Sequence, residues 1–134
     1  DAHFRELFFW FLLTVMILFK TLLNRNMWMN PLSDVMGGWT LTDAKGKVSA
    51  EPVENVIMLI PWTWLLIVLK NRKNAVKRPV LYAIAAGFLF SLTIETLQLM
   101  LRLGTFQMSD ICYNTLGGMI GGVMYWIIRL IRKQ

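Results

Sequence analysis

The amino-acid sequence predicts an all-α integral membrane protein with about four transmembrane helices. The first observation is its composition: 56% of the 134 residues are hydrophobic and only 16% are charged, whereas about one quarter of a soluble domain is charged. The second is that apolar residues form four runs, each near the length of about 20 residues that crosses a bilayer. The third is that basic residues lie beside these runs. The net charge of +6 therefore indicates membrane orientation, not nucleic-acid binding.

The limits of the apolar runs define the predicted helices. They cover about residues 7–23, 53–69, 79–101 and 111–128, within one predicted domain spanning residues 1–134, and the loop 24–52 follows the first helix. Lys20 interrupts the first run. A lysine near a helix end can extend its ammonium group to the interface, so the run still predicts a spanning helix.

The distribution of basic residues predicts that both termini are cytoplasmic. Residues 70–78 and residues 129–133 contain lysine and arginine but no acidic residue. The two segments share a side of the membrane because two spans separate them. The positive-inside rule places that side in the cytoplasm, and the loop 24–52 is then outside.

The outer loop carries a local signal for a small β-hairpin. Residues 39–42 and 47–50 flank a connection that begins with Asp43 and ends with Gly46. Aspartate at the start and glycine at the end suit a type I turn with a left-handed last residue. We therefore expect a short hairpin on the outer surface.

Polar and small side chains form one stripe on each of the last two predicted helices. At 100° per residue, the stripe on the third helix lies within about 80° and that on the fourth within about 60°. The stripes comprise Gly87, Ser91, Glu95, Gln98 and Arg102 on the third helix, and Asp110, Asn114, Gly117 and Gly121 on the fourth. A short turn near Gly104 makes these helices antiparallel neighbours.

The antiparallel pairing predicts a polar pocket that opens to the outside. A turn centred at Gly104 and Thr105 places Glu95 level with Asn114, and Gln98 next to Asp110. Asn55 begins the second run on the same side, where it either completes the cluster or caps its helix. Arg102 would extend over the opening as a counter-charge. The candidate binding residues are Asn55, Glu95, Gln98, Arg102, Asp110 and Asn114.

The two carboxylates of this pocket have structural as well as functional interpretations. A charged residue at the bilayer centre costs about 2.5–3.5 kcal/mol on insertion scales, and such residues usually face a bundle interior or a wet cavity. Glu95 either forms an interhelical hydrogen bond with Asn114 or belongs to a binding or proton-handling site. Asp110 either belongs to that site or, with Ser109, caps the fourth helix.

The glycines predict close packing of the last two helices. Residues 117–122 contain two overlapping small-xxx-small pairs, and glycine permits the close backbone approach through which helices associate in lipid. We expect the third and fourth helices to pack through Gly87, Gly117, Gly118 and Gly121.

Side chains for familiar catalytic and metal sites are sparse. The chain has a single cysteine, Cys112, and a single histidine, His3. It therefore offers no Ser-His-Asp or Cys-His set and no histidine-based metal site. We expect no cofactor and no metal, and the sequence assigns no catalytic residue.

Three segments carry a family resemblance. They are residues 55–61, ending in Pro61; residues 91–98, with the E-x-x-Q pair; and residues 104–118, with a D-x-x-x-N-T-x-G element that begins at Asp110. In this order they resemble the VanZ-like family of bacterial membrane proteins from about Asn30 onward, while the first run fits only by hydropathy. The chain departs from the family in having Trp62, Thr63 and Trp64 after the proline, and Gln107 and Ser109 before the aspartate.

The resemblance implies a multi-pass protein of the bacterial cytoplasmic membrane, with an envelope role in resistance to teicoplanin-type glycopeptides. Three functions are compatible with it. The favoured one is non-enzymatic binding or movement of a lipid, a lipid-linked cell-wall precursor or a glycopeptide-related ligand at the outer polar cluster. The second is an intramembrane enzyme with Glu95 or Asp110 as acid or base. The third is a structural partner subunit. The lipid bilayer is the expected partner, nucleic acid is not, and the oligomeric state stays open.

Overall fold

The structure, a computed structural model, describes residues 1–23, 27, 29–42 and 44–134. Four α-helices are present in the described residues: α1 Ala2–Leu18, α2 Ala50–Lys73, α3 Pro79–Leu101 and α4 Met108–Arg132, with α1 continuing as a π-helical turn over Phe19–Leu23. Each of the four is long and apolar enough to cross a membrane. The predicted all-α membrane fold with four spanning helices is therefore confirmed.

The helices α2 and α4 are longer than the apolar runs that predicted them. They have 24 and 25 residues, because a helix continues through polar turns at which an apolar run already ends. Glu51 lies in the first turn of α2, and Lys70, Arg72 and Lys73 lie in its last turn. The charges of these side chains complement the helix dipole, which favours anions near the start of a helix and cations near its end.

The helix α4 is central and packs against both α2 and α3, whereas α1 packs mainly against α2. Gly117 and Gly121 face α2, and Gly118 and Gly122 face α3. A methyl group on Gly117 would lie 2.2 Å from the Val56 carbonyl oxygen, so the backbones approach too closely for a side chain. The expectation that Gly117 and Gly121 pack against the third helix is wrong, because neighbouring helical residues point about 100° apart.

An apolar core joins α1, α2 and α3. Ile17, Leu59, Trp62 and Ile94 are buried in it. The Trp62 ring stacks on Phe90 with a centroid distance of 4.3 Å, and its indole N–H donates to the Thr14 hydroxyl at 2.8 Å. The partner for the indole nitrogen allows this large ring to be buried without leaving a polar atom unpaired.

The outer loop contains less regular structure than the sequence predicts. Thr42 and Val48 form an isolated antiparallel bridge, the Ser49 N–H donates to Leu41 O at 2.7 Å, and Gly46 has a φ of +79°. Asp43, which should begin the turn, lies outside the described residues. No strand extends from this bridge in the described part of the loop, so the predicted hairpin remains a prediction.

Candidate functional site

Buried polar side chains gather at the end of the bundle where α4 begins. Six of them form what we call the buried polar cluster: Asn55 of α2, Ser91, Glu95 and Gln98 of α3, and Asp110 and Asn114 of α4. Each is at most 6% exposed. Five of the six predicted binding residues thus lie on inward-facing sides of three packed helices.

Asn55 links α2 to α4. Its side-chain amide donates to Asp110 Oδ1 at 2.9 Å, and this hydrogen bond is buried. Of the two alternatives for each residue, N-capping is wrong for both. α2 begins at Ala50 and α4 at Met108, with Ser49 and Gln107 in the N-cap positions. Asn55 therefore lies in the second turn of its helix, where its side chain serves an interhelical contact.

Glu95 lies against the start of α4. The backbone N–H of Gln107 donates to Glu95 Oε2 at 3.0 Å. A helix start leaves N–H groups without intrahelical acceptors, and a carboxylate is a favourable partner for them. Glu95 thus acts on α4 as a capping side chain supplied from another helix.

The register of α3 and α4 differs from the prediction by about one helical turn. Asn114 lies opposite Ser91, to which its amide donates at 2.8 Å, and Gly118 lies opposite Gly87. The predicted pairing placed Asn114 level with Glu95. The ends of the two helices, Leu101 and Met108, are symmetric about the predicted turn centre. The difference therefore arises from the path of residues 102–107, which begins with the left-handed backbone of Arg102.

Gln98 connects the cluster to the end of α1. Its amide donates to Thr21 O at 2.5 Å. Thr21 belongs to the π-helical turn that ends this helix, and the last carbonyl groups of a helix lack intrahelical donors. Gln98 satisfies one of them from α3, which ties the first helix to the other three.

Asn114 contains a fully buried side-chain oxygen that lacks a partner among the described residues. Its side chain is 2% exposed, and its amide nitrogen donates to Ser91. Its Oδ1 accepts a hydrogen bond from no described residue. An unsatisfied buried acceptor costs about 1–3 kcal/mol, so this oxygen marks a position where a donor from outside the described residues would bind favourably.

Arg102 does not join the cluster. It is exposed, and its side chain makes no hydrogen bond or ion pair with the described residues. Its backbone ends α3 in the left-handed region, with φ 54° and ψ 36°. The next N–H, from Leu103, donates back to Gln98 O at 2.9 Å. The expectation that Arg102 extends over the opening as a counter-charge stays a prediction.

A segment of the outer loop covers the cluster. We call residues 31–39 the cover segment. Its contacts are the Asp34 carboxylate with the Gln107 amide at 2.8 Å, Gly37 O with the Ser109 hydroxyl at 2.7 Å, Trp39 O with the Tyr113 hydroxyl at 2.6 Å, Pro31 O with the Phe106 N–H at 2.8 Å, and Val35 O with the Met108 N–H at 3.0 Å. The sequence does not predict this segment, because only the glycine pair at 37–38 signals a close backbone approach.

Gly38 shows how closely the cover segment approaches α4. Its φ is +81°, and a methyl group there would lie 2.6 Å from Ser109 Oγ. Ser109 is itself fully buried. The cover segment therefore packs tightly on the start of α4, beside the buried polar cluster.

The family model described as VanZ/LLP1 matches residues 4–129, which is nearly the whole chain. The chain belongs to the VanZ/LLP1 family. The match begins within α1, so the first helix is part of the family's sequence pattern as well as its hydropathy. No curated protein and no solved structure gives a significant match.

The VanZ motifs coincide with the buried polar cluster. The E-x-x-Q pair supplies Glu95 and Gln98, and the D-x-x-x-N-T-x-G element supplies Asp110, Asn114 and Gly117. All five residues are buried. The residues that carry the resemblance therefore lie on the inward-facing sides of this multi-pass membrane protein.

The chemistry available in this VanZ-like cluster is acid and amide chemistry. It contains the carboxylates of Glu95 and Asp110 and the amides of Asn55, Gln98 and Asn114. Within the described ranges, no three histidine, cysteine, aspartate or glutamate side chains come together in a way that would hold a metal ion. Such a set can hold polar hydroxyl, amine or amide groups through hydrogen bonds.

Proposed function

We propose that this VanZ-like envelope protein contributes to resistance to teicoplanin-type glycopeptides by binding the head group of a lipid or lipid-linked cell-wall precursor in the buried polar cluster. The protein lies in the bacterial cytoplasmic membrane with both termini inside. The cluster then faces the outer leaflet, where a head group can enter while its acyl chains stay in lipid. The cover segment closes over the bound group.

The observation that carries this proposal is the unpartnered Oδ1 of Asn114. A hydrogen-bond network that only holds helices together stabilises the fold most when all its buried polar atoms are paired. This oxygen is buried and accepts no hydrogen bond from the described residues. A hydroxyl or amide N–H of a head group would supply the missing donor. Ser91 and Asn114 thereby form the deep end of the proposed site.

The direct test is Glu95→Gln in a glycopeptide-susceptible bacterial host that expresses the chain. Glutamine keeps an oxygen to accept the Gln107 N–H bond but removes ionisation. We expect the teicoplanin concentration that inhibits growth to fall most of the way to that of the host without the chain, with protein amount and thermal unfolding unchanged.

A matched control is Thr96→Val on the same helix. Thr96 is exposed and donates only to Leu92 O, four residues earlier, so resistance should remain. The proposal fails if Glu95→Gln behaves like Thr96→Val. It also fails if the wild-type chain gives no teicoplanin resistance.

A structural partner subunit is the second candidate function. It is favoured by the hydrogen bonds of Asn55 with Asp110, of Gln98 with Thr21 O, and of Asn114 with Ser91. Such interhelical bonds are each worth under about 2 kcal/mol in membranes. This function predicts resistance that follows folded protein amount in every cluster variant. An intramembrane enzyme instead requires turnover of a candidate lipid by the purified chain, with loss of turnover in Glu95→Gln.

A further inference from the structure

A groove of about 640 Å³ runs between α1 and α2, separate from the buried polar cluster. Two facing rows of side chains line it. They comprise Leu13, Met16, Ile17 and Lys20 on α1 and its π-helical turn, with Val15 and Phe19 beside them, and Glu54, Ile57, Met58 and Pro61 of α2. Within each row the spacing is that of one helix face. Seven residues at about 1.5 Å rise give the groove a length of about 10 Å.

The body of the groove is apolar and open to the side. Met16 and Ile57 are each 59% exposed, whereas Ile17 is buried in the apolar core. The open side of the groove therefore faces the hydrocarbon of the bilayer. Pro61 lies on the wall and has no N–H to donate. The groove therefore offers a surface for an acyl chain that lies along α1 and α2.

Opposite charges close one end of the groove. Lys20 and Glu54 form an ion pair there, with side chains 43% and 50% exposed. They are the charged residues among those that line the groove. They lie at the end of the bundle where the π-helical turn finishes α1 and α2 begins. A head group above the acyl chain would meet one positive and one negative group side by side.

This charge pattern distinguishes between lipid classes. A phosphate beside Lys20 and an ammonium group beside Glu54 would each find an opposite charge. A head group with a single negative charge would gain the lysine but be repelled by the glutamate. We propose that the groove binds one zwitterionic phospholipid, with its phosphate on Lys20 and its ammonium group on Glu54.

Lipid retention measures this binding independently of resistance. The full chain is reconstituted in bilayers of equimolar phosphatidylethanolamine and phosphatidylglycerol, extracted in mild detergent, and its retained lipids are quantified by mass spectrometry. We expect phosphatidylethanolamine to be enriched about two- to fivefold over phosphatidylglycerol, the range that exposed charge pairs provide. A retained ratio equal to that of the bilayer, or a preference for phosphatidylglycerol, would overturn the proposal.

Four variants locate the lipid. Ile57→Trp fills the groove and should abolish the enrichment, and Met16→Trp is a second filling variant if the first folds poorly. Leu89→Trp on α3 is the matched control, because Leu89 is 60% exposed and Ile57 is 59% exposed. Glu54→Lys should reverse the preference towards phosphatidylglycerol. Enrichment that survives both filling variants, or is lost equally in Leu89→Trp, would place the lipid elsewhere and contradict the assignment.

Discussion

At the residue scale, the helical angle predicts which side chains share a face but not which atoms they bond. The buried faces of Ser91, Glu95 and Gln98 follow from their spacing on α3. Their hydrogen-bond partners do not follow from this spacing. Gln98 donates to a carbonyl at the end of the first helix, and Glu95 accepts from a backbone N–H just before α4. Both partners depend on how chain ends and loops run in space, and no periodicity in the sequence reports that path.

The left-handed backbone of Arg102 predicts that glycine at this position stabilises the protein. Non-glycine residues in this region cost about 1–2 kcal/mol, and glycine avoids that cost at the expense of some unfolded-state entropy. We expect Arg102→Gly to raise the free energy of unfolding by about 0.5–1 kcal/mol, measured by thermal unfolding in detergent. Arg102→Ala is the control, since it removes the same charge but keeps the strain. Equal stability of the two variants would contradict the strained C-cap.

At the element scale, the glycine pairs predict that α4 packs closely but not against which helix. Neighbouring glycines on α4 serve different partners, and only the fold assigns Gly117 to α2 and Gly118 to α3. The bounds of α3 are predicted closely, because Pro79 begins it at a position that proline favours. The register between α3 and α4 is not predicted, because it depends on the path of residues 102–107 and not on where the two helices end.

Alanine substitutions at two glycines test the packing of α4. A methyl group on Gly117 would lie 2.2 Å from Val56 O, whereas one on Gly87 would lie 3.4 Å from the Gly118 Cα. The first is a severe clash with backbone and the second is close to ordinary contact. We expect Gly117→Ala to lower the unfolding midpoint and folded yield, and Gly87→Ala to change them little. The reverse order would show that α4 does not approach α2 in this way.

At the scale of the whole molecule, four spanning helices follow from hydropathy alone, because the bilayer imposes the length and polarity of each. The cover segment does not follow from the sequence. It depends on long-range contacts such as that between Asp34 and Gln107, and the predicted hairpin beside it contributes a single bridge in the described residues. Loops outside the bilayer are free of its constraint, and their patterns are correspondingly weak.

Membrane orientation is a prediction of the basic segments at 70–78 and 129–133. It is measured by labelling single cysteines in intact cells with a membrane-impermeant maleimide, in a Cys112→Ala background. We expect Lys45→Cys to be labelled from outside and Lys73→Cys to be labelled only after the cells are opened. Labelling of Lys73→Cys in intact cells would show the opposite orientation, with the buried polar cluster at the inner leaflet.

The central claim is that the buried polar cluster binds a ligand, and Asn114→Ala separates this role from helix packing. The substitution removes an unpartnered acceptor, which relieves about 1–3 kcal/mol, and one hydrogen bond to Ser91, which costs about 0.5–1.5 kcal/mol. The cavity left by the truncated side chain adds a further cost, so these contributions nearly cancel and stability should stay close to that of wild type.

The measurement is the teicoplanin concentration that inhibits growth of cells expressing Asn114→Ala, compared at equal protein amount with wild type and with Cys112→Ala, an exposed position on the same helix. We predict that Asn114→Ala loses the resistance that Cys112→Ala keeps, while its unfolding midpoint stays close to that of wild type. Full resistance in a stably folded Asn114→Ala protein would contradict the claim and leave the cluster a structural network.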